Sequence, residues 1–183
     1  MAASELRNVR TVFLDRDGTI NVKAAEGEYI RSPAELVLLP GAAAAVAALN
    51  AAGLRTVLVT NQRWLSEKSS KPAHFAAVQR RLEELLAGHG ARLDAAYHCP
   101  HAAGSCDCRK PLAGMLVRAA QEHDFDLTES VIIGDSDSDM LAGRAAGAVT
   151  ILLRSGGASG AADIVVDDLA SAVELIVNAQ AAH

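Results

Sequence analysis

Aromatic side chains are scarce in this chain: Phe, Tyr and Trp together make up 3% of 183 residues, although 50% of the residues are apolar. A core must therefore be filled by Ala, Val, Leu and Ile. Positive charge is in deficit, with 17 Lys and Arg against 22 Asp and Glu and a net charge of −5. That balance argues against a broad nucleic-acid-binding face, which requires a basic surface. An anionic ligand would have to be held by local cations instead of by the overall field. No apolar run reaches the roughly 18 residues of a membrane span. The opening "MAASELRNVR" is polar and lacks the apolar stretch of a signal peptide. A cytoplasmic protein bound to neither membrane nor nucleic acid is expected, and a monomer. Cysteine is limited to Cys99, Cys106 and Cys108, all within ten residues. An odd, tightly clustered set reads as metal binding before it reads as disulfide. The length suits a single domain over residues 1–183, with its core at about 8–178.

What is present is a regular alternation. Apolar or β-branched runs of strand length fall at Thr11–Leu14, Arg55–Thr60, Ala95–His98, Val131–Gly134, Val149–Leu153 and Ile164–Val166. Several are continuously apolar, as expected where both faces of a parallel sheet are covered. Helix-length stretches separate them. "GAAAAVAALNAAG" (41–53) follows Pro40 and stops at a glycine suited to a C-cap. Pro72 is placed to open a helix to about Ala87, and Pro111 one to about His123. Further helices are expected from about Ser138 to Ala146 and after Asp167. Strands alternating with helices give an α/β fold with a doubly wound, mainly parallel sheet and right-handed crossovers. Such sheets bind ligands beyond the C-terminal ends of their strands.

The polar residues cluster at those ends. The first strand ends in Asp15 and Asp17, the second in Thr60-Asn61-Gln62, and the fourth in Gly134-Asp135 with Asp139 following; Lys110 precedes the Pro111 helix. The chemistry that uses this set is phosphoryl transfer through an aspartyl-phosphate. Asp15 can be the nucleophile on phosphorus. Mg²⁺ takes one or two carboxylates besides water and substrate oxygens. Asp15 and Asp135 supply them, with a backbone carbonyl at Asp17 as a further ligand. Asp17 can protonate the leaving alkoxide and then activate water. Gly18 lets the chain turn close to phosphate. Thr60 and Asn61 can bond the phosphoryl oxygens while Lys110 neutralises charge spreading over them.

"DRDGT", "TNQ", "RKP" and "GDSDSD" appear in the order and spacing of the haloacid dehalogenase superfamily of phosphatases, which the chain resembles over roughly residues 10–153. The resemblance implies Asp15 as nucleophile, Asp17 as acid/base, Thr60 for phosphate, Lys110 as the third-motif cation, and Asp135 with Asp139 as the fourth motif. Asp135 is the expected direct metal ligand and Asp139 the residue that orients Lys110 or a metal-bound water.

"CPHAAGSCDCRKP" (99–111) adds Cys99, His101, Cys106 and Cys108. Three thiolates and one imidazole make a closed set for a structural Zn²⁺ with no open position. Such a staple across residues 99–110 would fix Arg109 and Lys110 at the mouth of the site. The neighbouring His98 points the opposite way in an extended segment and is left out of the set. The remaining histidines, His74, His89, His123 and His183, share no ligand spacing. Joined to "DRDGTIN", this loop resembles the heptose 1,7-bisphosphate phosphatases and, more distantly, the histidinol-phosphate phosphatases. The resemblance implies removal of the C7 phosphate from a heptose 1,7-bisphosphate, with Arg109 touching the phosphorylated sugar. A histidinol-phosphate or other small phosphomonoester phosphatase is the alternative, and an inactive zinc-stapled binding module the non-enzyme reading. There is no room for a separate cap domain, so substrate is expected to meet a 22–32 flap, the 62–72 segment and the zinc loop. One departure stands out. After "TNQ" the heptose enzymes continue with small residues and then Arg-Gly, whereas this chain has "RWLSEKSSKP". Arg63, Trp64, Lys68 and Lys71 can replace a lost cation there, shape a different pocket, or form a solvated loop around a half-buried Trp.

Overall fold

The computed structural model describes residues 5–68, 70–154 and 160–181. Six strands form one sheet: β1 (Thr11–Leu14), β2 (Arg55–Asn61), β3 (Ala95–Cys99), β4 (Ser130–Gly134), β5 (Val149–Leu153) and β6 (Ile164–Val166). Their order is β3-β2-β1-β4-β5-β6 and every pairing is parallel. All six expected strands form, each within a residue or so of its expected bounds.

Side chains alternate across the sheet, and each face has its own cover. Val12, Leu14, Leu58, Val131 and Ile133 pack under α1 (Ala42–Ala51), α2 (Pro72–Ala87) and α5 (Leu169–Ala181). Phe13, Val57, Val59 and Ile132 face the other way, under α3 (Gly114–His123) and α4 (Asp137–Ala146). With so few aromatics, the Ala-rich α1 is what lets a helix approach closely: Ala42, Ala43, Ala45, Val46 and Leu49 are buried. Of the described helices, none is long and apolar enough to cross a membrane.

One helix begins later than expected. Pro111 does not open α3, which starts at Gly114. Both backbone polar groups of Lys110 are held by the Asn61 side chain (3.2 and 3.0 Å), and the Leu112 N–H turns back to the Arg109 carbonyl (2.8 Å). That stretch is committed to presenting Lys110, so helical pairing waits until it has passed. α4 starts one residue earlier than expected, at Asp137. The expected His183 lies outside the described residues.

Strand order reverses between β1, whose partners are β2 and β4, and the outward windings on either side. Register sets Leu14 beside Ile133 and beside Leu58. The residues that follow these three positions therefore emerge together at the C-terminal edge, where a doubly wound sheet leaves its crevice.

Candidate active site

Asp15 is the first residue past β1, and its backbone N–H still bonds the Ile133 carbonyl (3.0 Å). This fixes its carboxylate at the switch point. Lys110 Nζ donates to Asp15 Oδ1 and to the Val59 carbonyl, both at 2.7 Å. It also forms an ion pair with Asp139 Oδ1 at 2.6 Å. The three side chains are 10% exposed or less. Burial opposes the Lys110 charge, yet Asp139 and Asp15 hold its pKa above the ordinary lysine value. Burial also pushes the Asp15 carboxyl up to about 7, against the pull of Lys110. A buried carboxylate in this position calls for a further cation to stay ionised.

That cation has a place. Oxygens of Asp15, Asp135 and Asp139 lie within 4.8 Å of one another. Asp139 is engaged by Lys110 and by the Ser136 hydroxyl and N–H (2.6 and 3.1 Å), which leaves Asp15 and Asp135 as the pair facing outward. All are hard oxygen donors, the chemistry that Mg²⁺ prefers. Gly18 has φ +92°, and a Cβ there would overlap the Asp135 carboxylate. Its glycine is required both by conformation and by close approach. Gly134 has the second reason alone, since a Cβ would overlap Asp139.

The Asp17 side chain is not part of this carboxylate group. It accepts from Arg16 Nη2 (3.0 and 3.1 Å), Asn21 Nδ2 (3.0 Å) and Gln62 Nε2 (2.8 Å). With its carboxylate so occupied, the backbone carbonyl is the group Asp17 could offer a metal. Arg16 is fully buried under Phe75, 5.9 Å from the ring centre. Thr60 Oγ1 accepts from Gln62 Nε2 (2.9 Å), so its own O–H is left to donate. Asn61, expected on phosphate, spends one N–H and its oxygen on the Lys110 backbone and lines the cavity.

These groups line a cavity of about 460 Å³ that includes Thr60, Asn61, Arg109 and residues 23–30 of the flap. Lys23, which nothing in its spacing marks, reaches from the flap to Asp135 Oδ2 (2.8 Å). Among the described residues of the 62–72 segment, expected to meet substrate, none lines this cavity, and no cation from Arg63, Lys68 or Lys71 enters it. Trp64 is 1% exposed, not half-buried. A larger hollow, about 630 Å³, lies at the other end of the strands by Arg10, Arg55 and Glu129. Neither of the two metal-ligand clusters found among the described residues is there.

The sulfur cluster forms as expected. Cys99, His101, Cys106 and Cys108 converge, with Cys99 Sγ 3.6 Å from Cys106 Sγ and 3.2 Å from Cys108 Sγ, and His101 Nδ1 3.3 Å from Cys108 Sγ. A tetrahedron of Zn–S bonds near 2.3 Å has edges of about 3.7 Å, so the donor set fits zinc. Burial and the neighbouring sulfurs push the Cys108 thiol up to about 12. His98 turns away and packs on Phe75 (4.2 Å between ring centres).

An all-parallel doubly wound sheet with Asp15, Lys110 and Asp135 at its switch point defines a haloacid-dehalogenase-type hydrolase, and the HAD-hydrolase-like family model matches residues 107–172. Over 187 aligned residues the chain is 40% identical to D-glycero-D-manno-heptose-1,7-bisphosphate 7-phosphatase of Thermosynechococcus vestitus, covering 90% of this chain and 94% of that protein. It is 37% identical to the D-glycero-beta-D-manno-heptose-1,7-bisphosphate 7-phosphatase of Vibrio cholerae, covering 79% and 81% of the two. A crystal structure of D,D-heptose 1,7-bisphosphate phosphatase from B. bronchiseptica with magnesium and phosphate superposes with TM-score 0.84 at 33% identity, over 93% of this chain and 99% of that one. The chain belongs to the D-glycero-D-manno-heptose-1,7-bisphosphate 7-phosphatase family.

Proposed function

We propose that the protein hydrolyses the C7 phosphate of D-glycero-D-manno-heptose 1,7-bisphosphate through a phosphorylated Asp15. The observation that carries this reading is the pairing of a buried Asp15 with Lys110 at 2.7 Å, beside Asp135, in a cavity that also takes in Arg109. The names of the relatives and the magnesium and phosphate of the superposed enzyme support it.

In the first step an Asp15 oxygen bonds to phosphorus as the bond from phosphorus to the C7 oxygen breaks. Asp17 gives its proton to that leaving oxygen. In the second step Asp17 takes a proton from water, whose oxygen bonds to phosphorus and releases inorganic phosphate, restoring the Asp15 carboxylate. Thr60 O–H and Lys110 Nζ meet the equatorial oxygens, where charge accumulates. Magnesium held by Asp15, Asp135 and the Asp17 carbonyl supplies positive charge that lets two anions approach. Cys99, His101, Cys106 and Cys108 would hold zinc as an architectural ion, and Arg109, whose Nη1 donates to the His101 carbonyl (3.4 Å), is the cation that the loop so fixed would turn toward the sugar. The same reading takes the chain as one domain acting as a monomer in the cytoplasm, where thiols stay reduced; the three cysteines are unpaired.

Phosphate release from both anomers of the bisphosphate and from histidinol phosphate tests the assignment, with phosphorus NMR to identify which phosphate leaves. Loss of the C7 phosphate alone is expected. Faster turnover of histidinol phosphate than of either sugar would replace the substrate.

A further inference from the structure

Trp64 is the one tryptophan of the chain. It is buried, and its Nε1–H donates to Gln62 Oε1 (2.8 Å). An indole N–H can only donate. The amide oxygen must therefore face Trp64, and the amide nitrogen must face the other way. There its two hydrogens meet Asp17 Oδ2 (2.8 Å) and Thr60 Oγ1 (2.9 Å). Gln62 is itself fully buried. Reversing the amide would set its oxygen against the Asp17 carboxylate and leave Trp64 with no acceptor, a penalty characteristic of buried polar groups. The face of the indole is also covered. Arg31 lies 5.5 Å from the ring centre and forks onto Glu67 at 2.9 and 3.2 Å. The ring has little freedom to move.

We propose that Trp64 is a positioning residue for catalysis, acting through Gln62 to aim the Asp17 carboxylate and to leave the Thr60 hydroxyl hydrogen pointing at phosphate. This rests on Asp17 as acid/base and Thr60 as phosphate donor in the proposed reaction. Neither Trp64 nor Gln62 lines the cavity, so both act on turnover and not on the sugar.

Because only one tryptophan exists, replacing tryptophan throughout by β-(3-benzothienyl)alanine changes this position alone. Sulfur then stands for the indole N–H while ring size is kept. With magnesium present, kcat is expected to fall by about 10- to 100-fold, the scale of a misplaced catalytic group. KM should stay close to that of the ordinary protein, the thermal midpoint should fall by only a few degrees as the buried Gln62 oxygen loses its donor, and the pH profile of kcat should change shape. Gln62→Met probes the same link from the other side, whether or not the analogue folds well. It should lose activity to a similar degree, and the analogue should add no further loss in that background. A folded analogue protein with unchanged kcat would overturn the inference, as would losses that multiply. An ordinary protein without phosphatase activity would instead overturn the proposed function and this inference together.

Discussion

The sulfur cluster lies within residues 99–108 and the carboxylate cluster meets Lys110 just beyond them, and both must hold like charges together. At the sheet edge, Asp15, Asp135 and Asp139 are fixed by strand ends, and a buried ammonium, Lys110, offsets part of their charge. Part of that geometry is therefore present in the protein alone, and a hard cation completes it. In the loop there is no such ammonium: three sulfurs and an imidazole face one another, and a metal is what makes three thiolates compatible. The two are joined through Asn61. Its strand pairs with Cys99 where the loop begins, and its side chain grips Lys110 where the loop ends. The proposed function thus places chemistry on the rigid sheet and substrate recognition on a loop that a second metal would order.

The sharpest division between the clusters comes from single substitutions. Asp15→Asn should lower turnover by more than about 10⁴-fold, as removal of a nucleophile does, with thermal stability retained. Steady-state phosphate release and a melting curve check both halves. Gly18→Ala should be next. It forces a side chain into a left-handed backbone and onto Asp135, with an expected cost of about 1–3 kcal/mol and weakened magnesium activation, read from a metal titration of activity. Removing zinc, by chelation or Cys108→Ser, should act on the loop. About one zinc per chain is expected by elemental analysis. Its loss should cost on the order of 2 kcal/mol, roughly 4–8 °C in the melting midpoint, and raise KM more than it lowers kcat. Equal damage to kcat would erase the proposed division. The smallest effect concerns the flap. The Arg31–Glu67 pair is more than 40% exposed at both ends, so Glu67→Ala should cost no more than about 1 kcal/mol, up to about fivefold in KM for the bisphosphate.

The two regions also differ in how far the sequence revealed them. Strand ends were legible because apolar runs stop at charged or glycine residues, and the alternation of Val12, Phe13 and Leu14 across two cores follows from it. The carboxylates and the sulfur ligands were legible because their chemistry confines them to narrow spacings. Less visible were features set by contacts distant in sequence. The late start of α3 depends on a side chain 49 residues away. Lys23 reaches Asp135 across 112 positions with nothing local to announce it. Trp64, read as half-buried, is pinned by Gln62 on its edge and Arg31 on its face. A loop composition of Lys, Ser and Glu gives no hint of that.

The most direct test of the central claim is to quench turnover with borohydride, which reduces an acyl-phosphate to the alcohol, and to map the product by mass spectrometry. Homoserine at position 15, dependent on both substrate and magnesium, is the expected result. Homoserine at another carboxylate, or none under conditions where phosphate is being released, would contradict a phosphorylated Asp15.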